Sequence, residues 1–110
     1  MANAYKVLGQ SDVPATTLTD VYTVPASTET VISTIIITNR SASARTYRIA
    51  IRPNGASISD SHYIAYDVPM VANDAATLTL GITLDAADVV SVYASDVDMT
   101  VNIFGTEITA

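Results

Sequence analysis

Cysteine and tryptophan are missing from this 110-residue chain, histidine occurs once, and no lysine or arginine follows Arg52. Without cysteine there is no disulfide staple and no thiolate metal site, which leaves packing and association to hold a small domain together. A phosphate-binding glycine loop, a dinucleotide fingerprint and a zinc-ligand spacing are absent as well. Apolar residues are plentiful, at 49% with a mean hydropathy of +0.34. Thr and Ser nevertheless interrupt every run well short of the ~20 residues that span a bilayer, so no membrane segment is expected. Met1 to Lys6 has no basic stretch followed by an apolar core and does not read as a secretory signal, which makes synthesis and assembly in a cytoplasm the expectation. The length suits one domain over residues 1–110 with a single core.

Thr, Val and Ile fill about a third of the chain, and their branched Cβ atoms suit a pleated surface better than a helix. No helix is predicted. Leu78-Thr79-Leu80-Gly81-Ile82-Thr83-Leu84 alternates apolar and small residues with a period of two, the pattern of a half-buried strand. Similar patterns predict strands over Tyr5 to Leu8, Leu18 to Val24, Val31 to Thr38, Thr46 to Arg52, His62 to Val68, Ala76 through Leu84, Val89 to Ala94 and Met99 to Ile108. Val13-Pro14-Ala15, Val24-Pro25-Ala26, Asn39-Arg40-Ser41, Pro53-Asn54-Gly55, Pro69, Asn73-Asp74 and Asp85 to Asp88 punctuate them. Short strands at such spacing predict an all-β sandwich or barrel.

Alternation assigns the faces. Tyr47, Ile49 and Ile51 are expected on one side, with Arg48, Ala50 and Arg52 on the other; Leu78, Leu80, Ile82 and Leu84 oppose a face of Thr hydroxyls. Val31 to Thr38 breaks the pattern, because strict alternation places Ile35 and Ile37 on one face and Ile32 and Ile36 on the other. Such a two-faced strand is covered either by a second layer of the same chain or by another subunit.

The net charge of −6 and pI near 4.2 conceal a segregation: Arg40, Arg45, Arg48 and Arg52 fall in one window, while everything after Pro53 is neutral or acidic. If the fold keeps that segregation, the window forms a basic patch suited to docking on an acidic partner; otherwise Arg48 and Arg52 are a solvated strand face. Nucleic-acid binding is not expected from so acidic a chain, whose Arg window offers only Tyr47 for stacking.

Other constellations read as local structure. Asp96-Val97-Asp98 puts two carboxylates on one side of an extended segment, but no further oxygen ligands follow, and an acidic turn is the expectation. Asp85-Ala86-Ala87-Asp88 reads as a tight turn whose carboxylates accept backbone N–H bonds. Ser59, Asp60, Ser61 and His62 are too close in sequence for a nucleophilic triad, which assembles from separated elements. Asn39-Arg40-Ser41 matches a glycosylation acceptor only by its letters, given the absence of a secretory signal. Neither enzymatic activity nor a cofactor or metal is expected.

Tyr22 to Ala26, Val31 to Asn39, His62 to Asp67, Ala72 to Asp74 leading into Leu78 to Leu84, and Asp88 to Ser95 together resemble a family of small structural proteins of tailed bacteriophages, including cyanophages. The resemblance spans about Leu18 to Thr109 and rests on strands and turns, without catalytic residues to carry over. It implies a single jelly-roll-like antiparallel β-sandwich of about eight strands, with residues 1–12 as an arm or edge strand. It also implies a virion component: a cement protein decorating the outer surface of the major capsid protein lattice, as a homotrimer. The candidate docking or subunit interface is then Arg40, Arg45, Arg48, Arg52, Ile32 and Ile36. The alternative is a small tail or neck module, or one that recognises a receptor glycan through its Tyr and Asp side chains. Tyrosines at alternating strand positions are, however, more often core residues.

Overall fold

The computed structural model describes residues 2–109. These form nine strands: β1 (Ala2–Val13), β2 (Thr19–Thr23), β3 (Thr28–Asn39), β4 (Arg45–Arg52), β5 (Tyr63–Met70), β6 (Asp74–Leu78), β7 (Ile82–Leu84), β8 (Val89–Ala94) and β9 (Met99–Thr109). Two short 3-10 turns, Pro53–Gly55 and Asp60–His62, separate β4 from β5. No helix among the described residues is long and apolar enough to cross a membrane.

The chain pairs about its own midpoint. Strand β4 pairs with β5, β3 with β6 and β7, β2 with β8, and β1 with β9, every pair antiparallel. Rolling that ribbon brings β9 against β3 and β8 against β4. The result is two facing sheets, β1-β9-β3-β6 with β7 also on β3, and β2-β8-β4-β5, which is the jelly-roll sandwich. Residues 2–13 are an edge strand along the whole length of β9. Pro69 is tolerated in β5 because that strand is also an edge.

Two bulges meet at Phe104 in β9. Strand β1 shifts register by one residue between Val7 and Gly9, and β3 does so between Ile32 and Thr34; Phe104 is the partner of both Val7 and Thr34. A bulge bends a strand and reverses the phase of its side chains. Next to it, Gly105 is required by proximity, since a Cβ there would collide with the Val31 carbonyl oxygen and lie 3.0 Å from Ile32 Cα.

This phase reversal corrects the two-faced reading of β3. Thr28, Thr30 and Ile32 point inward before the bulge, and Ile35, Ile37 and Asn39 point inward after it. Ile32, at 1% exposure, therefore belongs to the same core as Ile35 and Ile37, covered by this chain's second sheet and closed to any interface with another subunit. Ile36 is half-buried on the outer face, between Asn102 and Thr77. The regular alternation of Leu78 to Leu84 is corrected too. Gly81 adopts φ +62°, β6 ends at Leu78, β7 begins at Ile82, and Leu80 projects into solvent rather than joining the core.

The core between the sheets comprises Ile32, Ile35, Ile37, Met99, Val101 and Ile103 from one side and Tyr47, Ile49, Val90 and Val92 from the other. Among the described residues, buried polar side-chain atoms other than Arg45 Nε are paired, which avoids an uncompensated desolvation cost. Asn39 donates from Nδ2 to the carbonyls of Ser43 and Val71 and accepts from the Ser41 N–H. That role fixes the loop after β3 and leaves Asn39 with no solvent-facing amide for a glycan.

Candidate functional site

The outer face of the β2-β8-β4-β5 sheet holds two of the four arginines that the sequence singled out, Arg48 and Arg52. Strand β4 lies between β8 and β5, so Arg48 stands beside Asp67 of β5 and Arg52 reaches past β8 to Asp20 of β2. Arg52 Nη2 donates to Asp20 at 2.7 Å, its Nε to Ser91 Oγ at 3.1 Å, and its Nη1 to the carbonyls of Gly55 and Ala56. Ser91 is fully buried and in turn donates to Asp20. Burial raises the Asp20 pKa, but the hydrogen bonds from Ser91 and Arg52 outweigh it and leave the carboxyl below its ordinary value.

Arg48 is held from three sides. Its Nε and Nη2 reach the two oxygens of Asp67 at 2.6 and 3.3 Å, a forked pair that geometry favours. Its guanidinium carbon lies 4.2 Å from the Tyr66 ring centroid and 4.3 Å from that of Tyr93. The Asp67 hydrogen bonds raise the Arg48 pKa further. This clamp depends on a bulge in β5. Ala65 pairs with Ile49 and Val68 with Tyr47, leaving both Tyr66 and Asp67 opposite Arg48. Asp67 takes φ +49° to do so, a left-handed conformation that Asp tolerates better than most residues.

The other two arginines lie elsewhere. Arg45 begins β4 and Arg52 ends it, about 23 Å apart at strand rise. Arg45 is 3.6 Å from Asp96, and its Nε is buried without a partner. Arg40, beyond β3, pairs with Asp12 at 3.1 Å and Asp98 at 3.8 Å. The condition for a basic patch is not met: the segregation along the sequence does not survive folding, because each of the four arginines meets an aspartate from a distant segment.

The acidic turns behave as their spacing implied. Asp88 accepts from the N–H groups of Asn54 and Asp85, and Asp85 accepts from that of Ala86. Asp96 and Asp98 are drawn to different arginines. Among the described residues no three His, Asp or Glu side chains converge on a possible metal position. His62 closes its own turn, its Nδ1 accepting from the Ser59 N–H at 3.2 Å, while the Ser59 and Ser61 hydroxyls bond each other. No nucleophile–base pair is formed there.

The tyrosines divide by environment. Tyr22 and Tyr47 are core residues, with Tyr22 bonded to Thr30 and Glu107. Tyr66, by contrast, is 56% exposed. Its ring meets that of Tyr63 edge to face, with centroids 4.9 Å apart and planes at 82°. Asp60, Tyr63 and Tyr66 line a cleft of about 440 Å³. Sequence reasoning grouped all six tyrosines, since nothing in an alternating pattern reveals a bulge that turns one ring outward.

The opposite face, outside the β1-β9-β3-β6 sheet, has a second concavity of about 550 Å³ around the meeting bulges, lined by Tyr5, Lys6, Val7, Ser33, Phe104, Gly105 and Thr106. Tyr5 is 81% exposed, and Val7 and Val31 are exposed beside it. These side chains give the outer face of this sheet an apolar surface, and no sequence feature beyond the edge position of β1 announced it. No protein-family model, no curated protein and no solved structure matches this chain.

Proposed function

We propose that this chain is a structural subunit of a tailed-phage virion: a cement protein that binds the outer surface of the major capsid protein lattice as a homotrimer and acts by binding energy alone. The carrying observation is the apolar outer face around Tyr5, Val7, Val31 and Phe104. Exposed apolar surface of that kind favours a protein partner. The arginines are committed to internal aspartates, so docking is assigned to this face in place of a basic patch. The long edge strand β1, which among the described residues has a ladder partner only in β9, offers a second element for association between copies. A net charge of −6 suits the outside of a particle filled with phosphate.

A ligand that binds only the assembled lattice stabilises that state by its binding free energy at every site it occupies. The test is quantitative mass spectrometry of purified particles, with binding of the purified chain to empty heads. A copy number on the scale of the capsid lattice supports the cement role. A low number set by tail or neck symmetry moves the chain there, and absence from the particle removes the virion reading.

A further inference from the structure

We infer that the cleft lined by Asp60, Tyr63 and Tyr66 is a binding site for a neutral saccharide, one ring of which stacks on Tyr66 while its hydroxyls donate to Asp60. The site lies on the sheet opposite to the proposed capsid-docking face, and the inference does not depend on that docking.

The first reason is preorganisation. A solvent-exposed tyrosine ordinarily samples several rotamers, and a ligand must pay to order it. Here Arg48 supports one face of the Tyr66 ring at 4.2 Å, is itself gripped by Asp67, and rests on Tyr93 from its other side. Tyr63 fixes the ring further by edge-to-face contact. Tyr66 is thus held rigid while more than half of its surface stays open. Building this platform requires Asp67 to occupy the left-handed region at φ +49°.

The second reason is chemistry. The open ring face is electron-rich and attracts the partly positive C–H hydrogens on the flat side of a sugar ring. The Asp60 carboxylate accepts hydroxyl hydrogen bonds and, when ionised, has no proton to donate. A cationic ligand is disfavoured at the same ring, since the Arg48 guanidinium already occupies its other face. A phosphorylated ligand meets Asp60 and a chain of net charge −6. The volume of about 440 Å³ lies in the range of small-ligand sites and suits one or two sugar rings rather than a long chain. An open site of this size binds weakly, and avidity over many copies on one particle makes weak sites effective.

The test is a titration of the isotopically labelled full-length chain, followed by backbone amide NMR, with a panel of neutral mono- and disaccharides. Tetramethylammonium and inorganic phosphate serve as comparison ligands. Saturable shifts confined to Asp60, Tyr63, Tyr66 and their neighbours are expected with at least one saccharide. They should be reduced at least tenfold in affinity by Tyr66→Ala and by Asp60→Ala, kept by Tyr66→Phe, and kept by Tyr5→Ala on the opposite sheet. No saturable shift with any saccharide, binding that survives Tyr66→Ala, or a preference for tetramethylammonium or phosphate would overturn the assignment. Attachment to heads is read separately, so failure here is distinguishable from failure of the cement reading.

Discussion

Tyr22, from β2, donates a 2.6 Å hydrogen bond to Oε2 of Glu107, from β9, and so ties the two sheets together through a buried carboxylate. Lys6 of β1 reaches the other carboxylate oxygen at 2.6 Å, and Thr30 of β3 bonds the Tyr22 hydroxyl. Four strands thereby converge on one ionised group. A charge can be buried when its lone pairs are filled in this way. Hydrogen bonds from Lys6 and then Tyr22 keep the Glu107 pKa below its ordinary value, against burial. Burial and the Glu107 hydrogen bond push the Tyr22 phenol up to about 12.

These shifts set opposite limbs of a stability profile. For Glu107 the folded state holds the proton less tightly than the unfolded chain, so its contribution is complete above the ordinary glutamate pKa and is lost as pH falls through the lower folded value. For Tyr22 the folded state holds the proton more tightly, so its contribution is complete below about 10 and fades as pH rises through about 12. Glu107→Gln should flatten the acid limb, leaving the part due to Asp20, whose pKa is also lowered. Tyr22→Phe should lessen the alkaline limb, leaving that of Tyr47, whose pKa burial raises. It should also cost about 1–3 kcal/mol at neutral pH by removing a partner from a buried carboxylate. Denaturant titrations across pH check both; parallel profiles for wild type and the two variants would contradict the assignment.

The bulge in β3 gives a sharper contrast between two chemically identical residues. Ile32→Ala should cost about 2–5 kcal/mol, as for other buried Ile truncations, whereas Ile36→Ala, half-buried on the outer face, should cost about 1 kcal/mol or less. Equal losses would mean that the strand keeps strict alternation. Deleting Ser33 should leave both halves of β3 facing as they do, because it removes the extra residue while Ile32 stays opposite Gly105 and Thr34 opposite Phe104.

That contrast also shows where the sequence was legible. Period-two alternation located Tyr47 and Ile49 correctly in the core, and turn residues separated most strands within a few residues of their observed ends. The first strand, read as Tyr5 to Leu8, nevertheless runs over Ala2–Val13, and Ala76 to Leu84 is two strands. Alternation fails at bulges, since one inserted residue inverts every assignment beyond it, as with Ile32 and Ile36. The Arg window misled for another reason. Charge segregation in sequence says nothing about strand order, and the roll places Asp20, Asp67 and Asp96 beside arginines up to 51 positions away, Arg45 to Asp96 being the longest of these spans. The Tyr66 platform needed the backbone itself, because its signal is a φ angle at Asp67.

Arg52 is the next test, since its environment is structural. Four hydrogen bonds to Asp20, Ser91, Gly55 and Ala56 anchor the end of β4 to β2, β8 and the turn that follows. Arg52→Ala should lower stability by about 2 kcal/mol, the scale of lost hydrogen bonds to charged groups. Arg52→Glu should lower it more, by setting a second carboxylate against Asp20. Thermal unfolding measures both; an unchanged midpoint would show that these bonds contribute nothing and reopen Arg52 as a free docking charge.

The proposed docking face can be tested without disturbing the core. Tyr5 and Val7 are exposed on β1 and face outward beside Phe104 and Thr106, so replacing both by Thr keeps the strand preference while removing apolar surface. Burying such side chains against a partner contributes about 1.5–3 kcal/mol each, and every 1.4 kcal/mol is about tenfold in affinity. Tyr5→Thr with Val7→Thr should therefore weaken binding to empty heads by at least about tenfold, with an unfolding midpoint close to that of the parent chain. Tyr66→Ala, on the other sheet, should leave head binding intact. Full attachment of the Tyr5 and Val7 variant would exclude this face, whereas loss of attachment in Tyr66→Ala alone would transfer the docking role to the arginine-clamped sheet.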